Sequence, residues 1–363
     1  MTPRPPRNRL TGPVTEFQRK AEKSYTDPVS QIWIRAAELY GLRVVRTDDA
    51  YASYDGKGTL LIAKDVHLDP DDSLAQMILH ELCHAAVAGA GAKQELDWGL
   101  SNEDGRDLVS EQACHRLQAY LARRHGLRQF FAVTTDHRPY WDALPIDPLA
   151  PEDDPAVTRA RSALQFVRST ELGRILDDAL TATRAIAQIA KRHAPSRSLW
   201  STVTPLHASG FPLHEDANVH CGECAWHFTA GKKKPVQRCR QTRSGGRSAV
   251  SIESDAQGCE RFEAKFDEGE CASCGACCRE GFHLVMVGKN EAITKRHLDL
   301  LVPDGRGFHV PRPGGVCVAL KGTGSRGAPY RCSLYAVRPR SCRDFAVQSD
   351  ACLTARRRVA LSR

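Results

Sequence analysis

The sequence predicts an α+β fold: a small sheet with a central motif-bearing helix and a helical wall, followed by small cysteine-rich metal-binding modules. Three observations carry this. A helix pattern, three short strand patterns and a second helix pattern follow one another between Asp27 and Gly91. Two long amphipathic stretches then extend that half to His193. Twelve of the 14 cysteines crowd into the segment from Cys221 to Cys352. Metal ligation is a common way for a small, loop-rich segment of this kind to hold together.

The chain of 363 residues is 41% hydrophobic and 26% charged, as expected of a globular protein of two or three domains. It shows neither an apolar run long enough to span a membrane nor a secretory signal, so a cytoplasmic protein with no membrane partner is expected. Without such a signal, dense cysteines point to metal or cluster ligands rather than disulfides. The formal net charge is +8, with Arg356, Arg357 and Arg358 in the tail. No aromatic residues interleave with the basic ones in the manner of single-strand binders, so a solvated basic surface is expected and a nucleic-acid partner is not.

The first helix opens at Asp27-Pro28, runs through Ile32, Ala36, Leu39 and Tyr40, and stops at Gly41. Strands follow at Leu42 to Arg46, Tyr51 to Tyr54 and Thr59 to Ala63, with Asp55-Gly56 as a turn. The next helix has Asp69 as candidate cap, Pro70 at its first position and Asp71 and Asp72 at the positive end of its dipole. Leu74, Met77, Ile78, Leu82 and Ala85 recur on it at helical spacing, and Gly89 and Gly91 end it.

Within this helix His80-Glu81-Leu82-Cys83-His84 reads H-E-x-x-H. Two imidazoles one turn apart, separated by about 6 Å of rise, can share one metal ion. Glu81 projects about 100° round the helix, where it reaches a water on the metal and can take a proton as catalytic base. A catalytic zinc usually has three protein ligands and one open position. The next helix, from near Asp107 to before Gly126, supplies the candidates: Glu111 first, then His115 one turn along, then Asp107. Cys83 and Cys114 read as buried free thiols.

The stretch Phe130 to Pro155 is Pro-rich and irregular, with Tyr140 and Trp141 as possible cleft residues. Pro155 to Arg168 and Glu171 to His193 are amphipathic helices, the second striped by Leu172, Ile175, Leu176, Ala179, Ala182, Ile186 and Ile189. The domains expected are 27–193 for the H-E-x-x-H unit, 220–265 for a four-cysteine module and 266–355 for a cysteine-cluster domain. A disordered start (1–26), a linker (194–219) and a basic tail (356–363) complete the chain.

In the cysteine-rich half, Cys221-x2-Cys224, Cys239 and Cys259 supply four thiolates for one zinc site or one iron-sulfur cluster. Eight more follow: Cys271, Cys274, Cys277, Cys278, Cys317, Cys332, Cys342 and Cys352. They suffice for two four-cysteine sites, or for one cluster with spare thiols. The adjacent Cys277 and Cys278 are expected to point in different directions and so to serve two metals or a polynuclear cluster.

Four resemblances sharpen these expectations. Glu111-Gln112-Ala113-Cys114 resembles the segment that supplies the third ligand of gluzincin-type peptidases, and the H-E-x-x-H…E arrangement resembles the ImmA/IrrE-like family over about 60 residues. They imply Zn2+ on His80, His84 and Glu111 and hydrolysis of a peptide or protein substrate. Cys221 to Glu263 resembles the small cluster modules attached to some anaerobic enzymes. The segment Glu270 to Cys352 resembles the YkgJ-type cysteine-cluster family: C-x-x-C-x-x-C-C, a lone Cys317, then Cys332-Ser333-Leu334-Tyr335, Arg338-Pro339, Cys342-Arg343 and Cys352. That implies bound zinc or iron. The reading is a zinc-dependent peptidase or hydrolase with a zinc or iron-sulfur module. The alternative is an iron-sulfur redox or sensor protein whose N-terminal zinc is structural or regulatory.

Overall fold

Asp27 begins the ordered architecture by accepting a hydrogen bond from the Ser30 amide, which caps helix α1 (Pro28–Leu39) with proline at its first position. The structure is a computed structural model that describes residues 22–101, 105–241, 249–305, 307–325 and 327–362. The expectation of disorder over 1–26 therefore falls mostly outside the described residues. Strands β1 (Arg43–Thr47), β2 (Ala52–Tyr54) and β3 (Thr59–Ala63) form a sheet in the order β1-β3-β2. β1 runs parallel to β3, with Val44 opposite Leu60, and β2 antiparallel to it, with Ala52 opposite Ile62. The central strand buries Leu60, Ile62 and Ala63. Gly56, at φ 68°, turns β2 into β3, and a Cβ there would lie 3.0 Å from the backbone of Gln94 and Glu95. Glycine thus allows both the turn and the approach of the 90–99 segment.

Helix α2 (Leu74–Ala88) carries the H-E-x-x-H residues. It starts later than its first acidic residues suggest. Ser73, not Asp69, is the cap, its hydroxyl accepting from the Gln76 amide at 3.1 Å. The Asp69–Asp72 segment closes instead as a turn, with the Asp72 amide bonded to the Asp69 carbonyl. The helix is buried on nearly every side because it packs against α1, α3 (Leu108–Arg123) and α5 (Pro155–Ser169). Within the irregular 130–155 stretch a short helix, α4 (Arg138–Ala143), buries Trp141. α6 (Glu171–Ala190) closes the wall against α1, where the Trp33 indole donates to the Thr183 hydroxyl at 3.0 Å. One core joins α1, α2, α3, α5, α6 and the sheet, while Trp141 of α4 packs in a smaller cluster with Ala119, Ala132, Val133 and Leu144. The mixed helices and small sheets are those of an α+β protein.

In residues 194–219, Phe130 and Trp200 pack ring on ring at 4.5 Å and the Thr204 amide bonds the Gly126 carbonyl. Leu213 then pairs with Cys259 in an antiparallel bridge. Strands β4 (His227–Ala230), β5 (Val236–Cys239) and β6 (Val250–Ser251) form the second sheet. α7 (Glu268–Cys274) leads to a third sheet in the order β7-β9-β8, from β7 (Val285–Val287), β8 (Val302–Asp304) and β9 (Gly307–Val310). The short helix α8 (Ala292–Arg296) lies between β7 and β8. β10 (Leu320–Lys321) pairs with β11 (Arg331–Cys332), and helices α9 (Arg340–Arg343) and α10 (Asp350–Arg358) complete the described chain. No helix among the described residues is long and apolar enough to cross a membrane.

Candidate metal centres

α2 and α3 pack with His80 and His84 facing Glu111. The Nε2 atoms of His80 and His84 are 2.9 Å apart, and each lies 3.2 Å from one carboxylate oxygen of Glu111. These three residues bring their donor atoms within 4.8 Å of one another. They form the floor of a cleft of about 510 Å³, which Glu81, Asp107, His115, His137, Tyr51 and Ala52 also line.

The bonds behind the trio decide what it can hold. The Gln118 amide nitrogen donates to the Phe131 carbonyl at 2.8 Å, so its oxygen is the end that meets His80 Nδ1, at 3.0 Å. Nδ1 of His80 therefore carries the proton, and neutral His80 presents a bare Nε2 lone pair to the centre. His84 Nδ1 is in turn engaged by Cys114 Sγ at 3.2 Å, which also leaves Nε2 inward. Two imidazole nitrogens and a carboxylate converging at such distances need a positive charge among them. Without a metal, protons must supply it. Burial disfavours the imidazolium of His80, yet Glu111 outweighs burial and pushes His80 up to about 9. Burial likewise opposes ionisation of Glu111, but His80, His115 and His84 together hold its carboxyl far below the usual range. A divalent cation is the natural substitute, and this N, N, O donor set suits zinc.

The other candidates stand differently. His115 is almost fully buried, with Nε2 2.8 Å from Glu111 Oε1. Burial lowers it to about 4, so it is neutral and orients the carboxylate as a donor. Asp107 accepts the Ser101 amide at 2.8 Å. Glu81 is buried beside the trio with Oε2 accepting the Trp98 indole N–H at 3.0 Å. Trp98 stacks on Tyr54 at 3.8 Å, and it and Asp97 hold left-handed backbone, φ 60° and 46°. Non-glycine residues adopt that conformation only where surroundings enforce it. Sequence reading gave Trp98 no role, and nothing in its spacing signals one. Gln118 and Cys114 lie seven and three residues after Glu111, a spacing that places all three on one helix face.

Cys221, Cys224 and Cys239 are buried in one small core with Trp226, Ile252, Phe266 and Leu353, and Cys259, also buried, interacts electrostatically with all three. Of the last eight cysteines, Cys271, Cys277, Cys278, Cys317, Cys332 and Cys342 line one cavity of about 60 Å³ with Arg312 and Arg338. That space suits an ion rather than an organic ligand. Cys274 accepts from Arg356 at 3.4 Å outside it, and Cys352 sits in the first turn of α10, electrostatically coupled to Cys274 and Cys277. The Cys278 sulfur faces those of Cys277, Cys317 and Cys332, and its single S–H can serve one of them at a time, which holds Cys278 above its usual range and the other three below theirs. The sulfurs of Cys277 and Cys278 thus meet instead of pointing apart. The chain is wound helically over Cys277–Gly281, where successive side chains diverge less than on a strand. Burial pushes Cys271 up to about 11 and Cys342 to about 12. Eight thiols in this small segment, some already depressed, are a donor set for soft or borderline metals.

The fold and this cluster define a cysteine-cluster metal-binding protein. Residues 270–358 match the CxxCxxCC family, described as "Putative zinc- or iron-chelating domain". A "Putative ferredoxin" of Acinetobacter calcoaceticus is 36% identical over 91 residues, which cover 24% of this chain and 71% of that protein. The chain belongs to this zinc- or iron-chelating family. No solved structure gives a significant match.

Proposed function

We propose that the chain is a zinc-dependent hydrolase of peptides or proteins joined to its zinc- or iron-binding cysteine cluster. The observation that carries the reading is the convergence of His80 Nε2, His84 Nε2 and the Glu111 carboxylate on the floor of the cleft, with Glu81 beside them. Zinc held by His80, His84 and Glu111 supplies Lewis acidity toward a substrate carbonyl and toward water. Gln118 and Cys114 fix the ring orientations of the two histidines, and His115 fixes the carboxylate of Glu111. Trp98 holds one oxygen of Glu81, and the other, Oε1, takes the proton as general base.

The cleft wall suits an extended backbone. The Tyr51 carbonyl and Asp55 amide face β3, so by alternation Ala52 and Tyr54 turn their backbone groups outward. Asp97 takes the Tyr54 amide at 2.8 Å, while Ala52 lines the cleft. A peptide can pair there as an added strand. In Glu81→Gln, cleavage of a quenched fluorescent peptide library by the full-length protein is expected to fall by about 10²–10⁴, with zinc content unchanged. Cleavage at the wild-type rate would remove Glu81 from this role, and no cleavage by either protein would remove the hydrolase reading.

The ferredoxin-named relative favours a second reading, in which an iron-sulfur centre in the cysteine cluster transfers electrons and the N-terminal zinc is structural or regulatory. Visible absorption with acid-labile sulfide, and no hydrolysis, is its signature.

A further inference from the structure

The segment Leu206–Glu263 lies outside both the cleft and the matched family residues, yet it gathers four buried cysteines from three places in the chain. All four are free thiols. What distinguishes them is the direction of their hydrogen bonds. Cys239 Sγ accepts the amide of Gln241, two residues on, at 3.3 Å. Cys259 receives the amide of Arg261, again two residues on. Cys224 faces the amides of Glu263, Trp226 and His227, the last of which also bonds the Cys224 carbonyl at 3.0 Å. Cys221 is met by the His207 ring, with Nε2 at 3.1 Å. The tautomer of that ring is fixed by its other nitrogen. The Ser209 amide donates to His207 Nδ1 at 3.2 Å, so Nδ1 is the acceptor and Nε2–H is the donor to sulfur. An acceptor faces only Cys221 among the bonds found, the Gln257 carbonyl at a long 3.8 Å.

Burial raises all four thiols, and the donors that face their sulfurs offset that cost only in part, so four thiolates at these buried, mutually interacting positions need a cation among them. We propose that Cys221, Cys224, Cys239 and Cys259 hold a thiophilic metal centre, distinct from the family cluster, with His207 as hydrogen-bond donor to the Cys221 thiolate rather than as a ligand. The centre is either one zinc ion or an iron-sulfur core; both use the same four thiolates. The sulfurs are not drawn as close together as the donor atoms of the N-terminal trio. The bridge between Leu213 and Cys259 brings the segment that carries His207 alongside them.

The test uses the full-length protein purified without air. Zinc, iron and acid-labile sulfide are counted per chain in wild type and in Cys239→Ser/Cys259→Ser. Loss of one zinc, or of the iron and sulfide of one cluster, with the remaining metal retained, supports the centre and names its occupant. Unchanged metal content overturns it. Because that variant can misfold, alkylation of the wild-type protein supplies a second measurement, with each cysteine followed by mass spectrometry before and after a chelator. Protection of these four thiols that the chelator abolishes supports the centre, and rates the chelator leaves unaltered overturn it. In His207→Phe, metal stoichiometry at saturation is expected to hold while affinity falls about 10–100-fold. Unchanged affinity would remove His207 from the account.

Discussion

At the residue scale, the proposed N-terminal metal site rests on small polar contacts behind His80, His84 and Glu111. Gln118 is held at both ends, by the Phe131 carbonyl and by His80 Nδ1. Gln118→Leu keeps the volume and removes the partner of Nδ1. Zinc affinity is expected to fall about 10–100-fold, read by competition with a chromogenic chelator; an unaltered affinity would make Gln118 a packing residue only. Trp98→Phe keeps the stack on Tyr54 and deletes the donor to buried Glu81. Stability is expected to drop by about 2 kcal/mol in urea unfolding, the scale of a hydrogen bond to a charged group. A change within error would show that water replaces the indole N–H.

At the element scale, α2 is the piece on which the rest is arranged, and its capping is simple to probe. Ser73→Ala removes the bond to the Gln76 amide and should cost about 1 kcal/mol, measured by thermal unfolding. Asp69→Ala, at the position the sequence favours as cap, should cost clearly less. That contrast shows where sequence legibility ends. The run Asp69-Pro70-Asp71-Asp72 carries every local helix-start signal, yet it closes as a turn and Ser73 caps the helix. α1, α5 and α6 were legible because each buries one periodic face, and the three strands because turn residues bound short apolar runs. H-E-x-x-H and Glu111 were legible because ligand spacing on a helix is a local property. Trp98, His207 and the contact between the Cys277 and Cys278 sulfurs were not, since each arises from a loop folding back or from winding that no periodicity encodes.

At the scale of the whole molecule, an ion pair joins the two halves, Arg123 of α3 with Glu260 beside Cys259. Metal binding to thiolates and imidazoles competes with protons, so affinity at every centre falls as pH falls. Stepwise acidification is expected to release metal in stages, followed by chelator absorbance; release independent of pH would argue against thiolate and imidazole ligands. On the proposed reading, the N-terminal helices hold a metal of their own. The most direct measurement is zinc, iron and sulfide per chain in wild type beside His84→Ala, both full length and purified without air. The account predicts that the variant loses one zinc and keeps all remaining metal. Identical zinc content in the two proteins would contradict it.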